Sequence, residues 1–190
     1  MKIYKYSNHE EYIDIQTKAN IRKLNNVWVD KETISKIYEM VPIAAFILCH
    51  GTRNAAEQKY FKHFYPYAEI IGTEISHTAS KFEMTIQHDF HEIKEEWINK
   101  FDIIYSNSFD HSYDPVKSLT AWKNQLSDSG SIFMETHIGK NNKSSAVDPL
   151  ELNNNDMNNL VSSVGMKIVF QHNIDSKLGY RSILNVLKRD

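Results

Sequence analysis

The chain has 190 residues, 41% of them apolar, with nine Phe, ten Tyr and three Trp, which is enough for one sizeable core and argues against a second independent domain. A formal net charge of -2 removes the main electrostatic argument for a nucleic-acid or anionic-membrane surface. The single cysteine cannot form an internal disulfide, no apolar run approaches the ~20 residues of a membrane span, and the N-terminus shows no signal-peptide pattern, so a soluble, cytoplasmic chain is expected.

Residues 1–42 read as a helical extension. Tyr12, Ile15 and Ala19 share one helical face, and Ile34, Ile37, Tyr38 and Val41 repeat that spacing after a break at Asn25-Asn26. Such a leader either packs against the sheet edge, the placement favoured here, or caps the mouth of a ligand site.

From Ile43 to Asp190 strands and helices alternate. The apolar run from Ile43 to Cys49 stops at His50-Gly51-Thr52-Arg53, after which helix formers follow directly, with a stripe at Ala56, Tyr60 and Phe64 that Pro66 ends. A strand, a glycine turn and a helix start leave backbone N–H groups and a positive dipole end free for a carboxylate or phosphate. The second strand, Glu69 to Glu74, ends on a carboxylate. A strand, a glycine turn, a helix and an acid on the next strand form a βαβ unit suited to an adenosine-containing cofactor, the acid holding the ribose hydroxyls.

A third strand spans about Met84 to Gln87, followed by His88-Asp89-Phe90-His91 and a short helix near Trp97. The fourth spans Phe101 to Tyr105 and gives way to Ser106-Asn107-Ser108. Asp114 and Pro115 stand at the cap and first turn of a helix with Leu119, Trp122 and Leu126 facing inward. Gly130 opens a fifth strand, Ser131 to Glu135. Gly139 to Ser145 has the composition of a mobile loop, and its Gly-Lys lacks the glycine spacing of a phosphate loop. Asp148-Pro149 reads as the start of a helix bearing Met157, Leu160, Val161 and Val164, which Gly165 ends. Met166 to Phe170 and Arg181 to Leu187 then make two strands joined by a turn around Lys177-Leu178-Gly179. The expectation is an α/β fold: a doubly wound, mostly parallel seven-stranded sheet with an antiparallel last strand, plus the N-terminal helical extension.

These residues resemble class I S-adenosylmethionine-dependent methyltransferases from about Ile43 onward. The likeness is carried by Cys49-His50-Gly51-Thr52-Arg53, by Gly72-Thr73-Glu74, by His88-Asp89-Phe90, and by Asn107-Ser108-Phe109-Asp110-His111 with Asp114-Pro115. The first motif departs from the family pattern: the register gives Ile47, Cys49, Gly51 and Arg53, and only the middle glycine remains. Larger residues there either narrow the methionine site or supply side-chain contacts. On the second reading the Arg53 guanidinium pairs with the cofactor carboxylate; otherwise it is a solvent-facing arginine at a helix start.

The resemblance implies an enzyme that uses S-adenosyl-L-methionine, with Cys49, His50, Gly51, Thr52, Arg53, Glu74, Ile75, Asp89, Phe90, Ser106 and Asn107 along the cofactor. Glu74 would take the ribose diol, and Asp89 with Phe90 would meet the adenine. Histidines follow each expected parallel strand: His50, His77, His88 with His91, His111 and His137. In an open parallel sheet these strand ends share the ligand-binding edge. His111 is the first candidate for a general base, with His137 and Asp110 as neighbours. A metal set of His111, His137 and Glu135 matches no compact motif, so no metal is expected.

The leading reading is methyl transfer to a small-molecule or saccharide acceptor, most simply at oxygen, with no nucleic-acid or membrane partner and a homodimer left open. Two others compete: a non-catalytic protein of this fold acting through its helical leader or the Lys140 loop, and a nicotinamide-dependent oxidoreductase, disfavoured by Arg53 standing where a glycine would be needed.

Overall fold

The computed structural model describes residues 1–137, 143–175 and 181–190, apart from the side chains of His137 and Asp175. Its elements in chain order are β1 (Lys2–Ile3), α1 (His9–Arg22), α2 (Lys31–Met40), β2 (Phe46–His50), α3 (Ala56–Phe64), β3 (Glu69–Glu74), β4 (Thr85–Gln87), β5 (Phe101–Ser106), α4 (Pro115–Gln125), β6 (Leu126–His137), β7 (Leu150–Glu151), α5 (Asn154–Ser163), β8 (Met166–Asp175) and β9 (Arg181–Arg189). Seven strands form one sheet in the order β4-β3-β2-β5-β6-β9-β8. Neighbours from β4 to β6 are parallel, and β9 runs antiparallel to both β6 and β8. This is the doubly wound sheet with an antiparallel last strand that the alternation predicts.

Alternate residues of a strand point to opposite faces, and the two cores follow that period. Leu48, Ile104, Ile132 and Met134 meet Leu119 and Trp122 of α4 and Leu160 and Val161 of α5 on one face. Ile47, Cys49, Ile103, Tyr105 and Phe133 meet Ile34 and Ile37 of α2 and Phe61 of α3 on the other.

The two leader helices have different roles. α2, capped by Asp30, presents Ile34 and Ile37 to the core. α1, capped by Asn8, buries Tyr12, Gln16, Ala19 and Asn20, a face half of which is amide. A face of that kind suits a polar crevice better than a core, and α1 lies across one. Its Gln16 amide donates to the Val147 carbonyl, while the Tyr12 hydroxyl donates to the His111 carbonyl. β1 pairs antiparallel with β7, and the Tyr6 hydroxyl donates to the Ala146 carbonyl, so the stretch before α5 straps the N-terminus down.

That strap corrects one expectation. Asp148-Pro149 does not begin a helix, because Leu150 pairs with Ile3; α5 starts at Asn154 under a reciprocal capping box between Asn153 and Asp156. The fifth parallel strand is also longer than expected, beginning at Leu126 directly after α4. The short helix near Trp97 is a single 3-10 turn, Glu95–Trp97. Most of the Gly139 loop and the turn around Lys177-Leu178-Gly179 lie outside the described residues.

Candidate active site

The carboxyl ends of β4, β3, β2 and β5 open on a crevice roofed by α1. Gly51, Arg53, Glu74, Ile75, Asp89 and Phe90 line it, and Asn20 of α1 closes it from above. Of the residues the sequence places along the cofactor, these six are brought together.

Gly51 is the pivot. Its φ of +74° is a left-handed conformation that costs an L-residue with a Cβ, and a Cβ added there would stand 2.7 Å from Ser108 Cβ. Gly51→Ala is therefore expected to destabilise the protein by about 2 kcal/mol and lower Tm by about 4–8 °C in a thermal melt; an unchanged Tm would contradict this packing. Gly72, in β3, gives passage to the Gln58 amide, which donates to Thr52 Oγ1 and Thr85 Oγ1; an added Cβ would fall 1.7 Å from that nitrogen.

The turn itself differs from a simple amide cradle. The Thr52 N–H donates to the Thr73 carbonyl and the Gly51 N–H leans on Thr73 Oγ1, so neither is free. α3 begins only at Ala56, after Ala55 has taken a left-handed conformation with no side-chain cap. Four residues of that set, Cys49, His50, Thr52 and Ser106, line neither the crevice nor the cavity beside it. Cys49 and Thr52 are buried beneath the turn, Ser106 Oγ donates to the His50 carbonyl, and His50 stacks on Trp122 with Nδ1 at Thr73 and Nε2 at Gln125. Burial pushes the His50 imidazole down to about 3, so it stays neutral at working pH.

Glu74, 7% exposed, ends β3 facing the crevice. Burial raises its carboxyl above the ordinary value, against the Ser76 N–H and the Asn20 amide, which hydrogen-bond to it. Asp89 takes the Nδ1 and backbone N–H of His91 on one oxygen and His9 Nε2 on the other, at 2.6, 3.0 and 2.9 Å. Although burial works upward on Asp89, these histidine contacts outweigh it and hold the carboxyl well below the usual range. His91 is itself buried, bonded to Ser112 and stacked on Tyr113.

The row of histidines divides by role. His77 is exposed on a 3-10 turn away from both hollows, His50 and His91 are internal braces, and His88 and His111 line the crevice. His111 Nδ1 lies 2.9 Å from the Val147 carbonyl, an acceptor, so that nitrogen carries a proton, and in the neutral ring Nε2 is the one with the lone pair. Asp110, His111 and Asp148 each bring one polar atom within 4.8 Å of the others. The His137 side chain lies outside the described residues. Glu135, grouped with the two histidines in the sequence, instead accepts from the Tyr105 and Ser182 hydroxyls.

A cavity of about 260 Å³ opens beside the crevice, sharing Gly51, Arg53, Ser108 and His111 with it and adding Asn107, Asp110 and Glu57. Glu57 carries no functional signal in the sequence, since an acid in a first helical turn reads as an ordinary partner of the helix dipole. It is only 6% exposed, and burial raises its carboxyl to about 7. A third hollow, about 640 Å³, lies over β6, β8 and β9 and shares Asp110 with the second; Phe109, Leu152 and Met157 give it apolar walls, and Asn154, Asn158 and Gln171 give it polar ones.

No protein-family model matches the chain, and no curated protein matches it by sequence. Solved structures do. The 1,6-didemethyltoxoflavin-N1-methyltransferase of Burkholderia thailandensis, solved with 1,6-didemethyltoxoflavin and S-adenosylhomocysteine bound, superposes with a TM-score of 0.76 at 12% identity, covering 98% of this chain and 93% of that one. The [4+2]-cyclase SpnF gives 0.71 at 9% identity, covering 98% and 97%. Magnesium protoporphyrin IX methyltransferase from Synechocystis, with S-adenosylmethionine bound, gives 0.62 at 8% identity, covering 97% and 100%. The chain therefore has the class I methyltransferase fold, as the sequence motifs imply.

Proposed function

We propose that the protein binds S-adenosylmethionine in the crevice under α1 and methylates a small-molecule acceptor, with a saccharide hydroxyl as the favoured class. The observation that carries this is Glu74: a buried carboxylate at the end of β3, facing a crevice whose other wall is Gly51. Because SpnF shares the fold and is a cyclase, fold alone does not select the reaction, and the assignment rests on these residues.

The residues present fit the cofactor. Glu74 would accept from the ribose hydroxyls, Ile75 and Phe90 would border the adenine, and Asp89 would accept from its amine by sharing the oxygen that His9 now holds. When bound, S-adenosylmethionine supplies an electrophilic methyl group. The chain provides the rest. His111, its Nδ1 proton held by Val147, offers Nε2 to the proton of an acceptor hydroxyl, a role worth roughly 10²–10⁴-fold for a positioned base. Asp110, which borders both the 260 and 640 Å³ hollows, would orient the acceptor between them. The mix of amide and apolar walls in the larger hollow suits a polyhydroxylated ring.

Titration calorimetry with S-adenosylhomocysteine tests the assignment: saturable binding is expected, and no heat at millimolar ligand would remove it. The crevice is narrow and α1 roofs it, so entry of a nucleoside would displace α1. Backbone amides of α1 are accordingly expected to exchange with deuterium more slowly once S-adenosylhomocysteine is bound; exchange unaffected by the ligand would contradict α1 as the roof of the site.

A further inference from the structure

Two groups of opposite charge line the 260 Å³ cavity and are incompletely satisfied. Arg53, at the mouth between crevice and cavity, makes no hydrogen bond or ion pair among the described residues, and burial lowers its guanidinium's affinity for its proton. Glu57 has one oxygen, Oε2, with no partner, and its carboxyl is otherwise held by its own backbone N–H and by a long contact, 3.5 Å, from the Asn107 amide. The two are not paired with each other. Arg53 is half-buried and acts on Glu57 only through space, whereas Glu57 is buried with an oxygen unsatisfied, which is costly; a ligand that supplied both counter-charges would relieve both.

We infer that Glu57 and Arg53 form a two-ended clamp for an α-amino-acid head group, Glu57 receiving the ammonium and Arg53 the carboxylate. This rests on the adenosyl reading of the adjoining crevice, and it assigns Glu57, with its orphaned oxygen, as a cofactor-binding residue. A lone anion such as phosphate would satisfy Arg53 but face Glu57, Asp110 and Asp148. A lone cation would satisfy the carboxylates but face Arg53 and Lys23. Only a group with both signs a few ångströms apart suits the cavity, and the planar guanidinium matches a carboxylate bidentately. The clamp also accounts for the glycine-poor turn: with the Gly51 and Thr52 amides turned to Thr73, side chains four residues apart take over the contact that backbone would otherwise make.

The groups facing Glu57 fix the sign of its pH response. Cys49 of β2 and Glu135 of β6 lie close enough to act on it electrostatically, as does Arg53, the Asn107 amide bonds to it, and Lys23, Asp110, His111 and Asp148 line the cavity it faces. With Glu57 raised to about 7 in the free protein, an incoming ammonium favours the carboxylate and drives off its proton. Binding is then full above pH 7 and weakens as pH falls below it, by up to about tenfold per unit.

Calorimetry in buffers of different ionisation enthalpy reads that proton directly, using S-adenosylhomocysteine and 5′-methylthioadenosine, which has the adenosyl group without the amino-acid head. The intact protein is expected to release a proton near pH 7 with the first ligand and none with the second. Glu57→Gln is expected to abolish the release and weaken S-adenosylhomocysteine about 10–100-fold, while 5′-methylthioadenosine binds unchanged and so reports that the variant is folded. Equal S-adenosylhomocysteine affinity in the variant, or no release from the intact protein, overturns the clamp while leaving the adenosyl site standing. Failure of the intact protein to bind either ligand overturns both.

Discussion

Glu74→Ala is expected to weaken S-adenosylhomocysteine about 100-fold or more by calorimetry. Two charge-assisted hydrogen bonds to a ribose diol are each worth about 1.5–3 kcal/mol, and each ~1.4 kcal/mol is a factor of ten in affinity. The carboxylate is already shielded from water at the end of β3, so little of that energy is lost to solvent competition. The same substitution frees the Ser76 N–H and the Asn20 amide, so α1 should loosen as well. Glu74→Gln separates the two effects, keeping a partner for the Ser76 N–H while removing the charge. Its affinity should lie between those of the intact protein and the alanine variant. Wild-type affinity in Glu74→Ala would show that the ribose sits elsewhere.

His111→Ala is expected to do the reverse, leaving S-adenosylhomocysteine affinity within about threefold while lowering kcat by about 10²–10⁴-fold on an acceptor hydroxyl. The acceptor can be found by screening polyhydroxylated small molecules for uptake of labelled methyl groups. Partial rescue by added imidazole would mark the lost group as a base rather than a brace, since a free ring can accept a proton but cannot restore the bond to Val147. Unchanged kcat in the variant would assign His111 to shaping the pocket.

Much of this architecture was legible because its elements carry local signals. β3 has the expected bounds, Glu69–Glu74, and Asp114 with Pro115 opens α4 as a cap followed by proline should, with the Lys117 N–H on the Asp114 carboxylate. Where the sequence misled, a longer-range contact overrode a local one. Asp148-Pro149 has helix-start chemistry, yet pairing of Ile3 with Leu150 draws the backbone out as β7. The apolar spacing Tyr12, Ile15, Ala19 suggests a helix against a sheet edge, whereas Gln16 and Asn20 are what place α1 over the crevice, and buried amides carry no periodic hydrophobic signal.

At the site, residues identified by their position at a strand end lie together: Gly51, Glu74, Ile75, Asp89 and Phe90 line one crevice. Histidines identified by type alone scattered into different roles. His50 and Trp122 stack as a core pair, and His91 braces Asp89, because an imidazole with both nitrogens bonded is as useful inside as at a reaction centre. Glu57 is not legible in the sequence because only the fold shows that the first turn of α3 faces a cavity and not solvent.

A crystal structure grown with S-adenosylhomocysteine tests the central claim most directly. The expected result is density in the crevice, with the ribose hydroxyls on Glu74 and the adenine between Ile75 and Phe90. An empty crevice at saturating ligand, or density at another edge of the sheet, would contradict it.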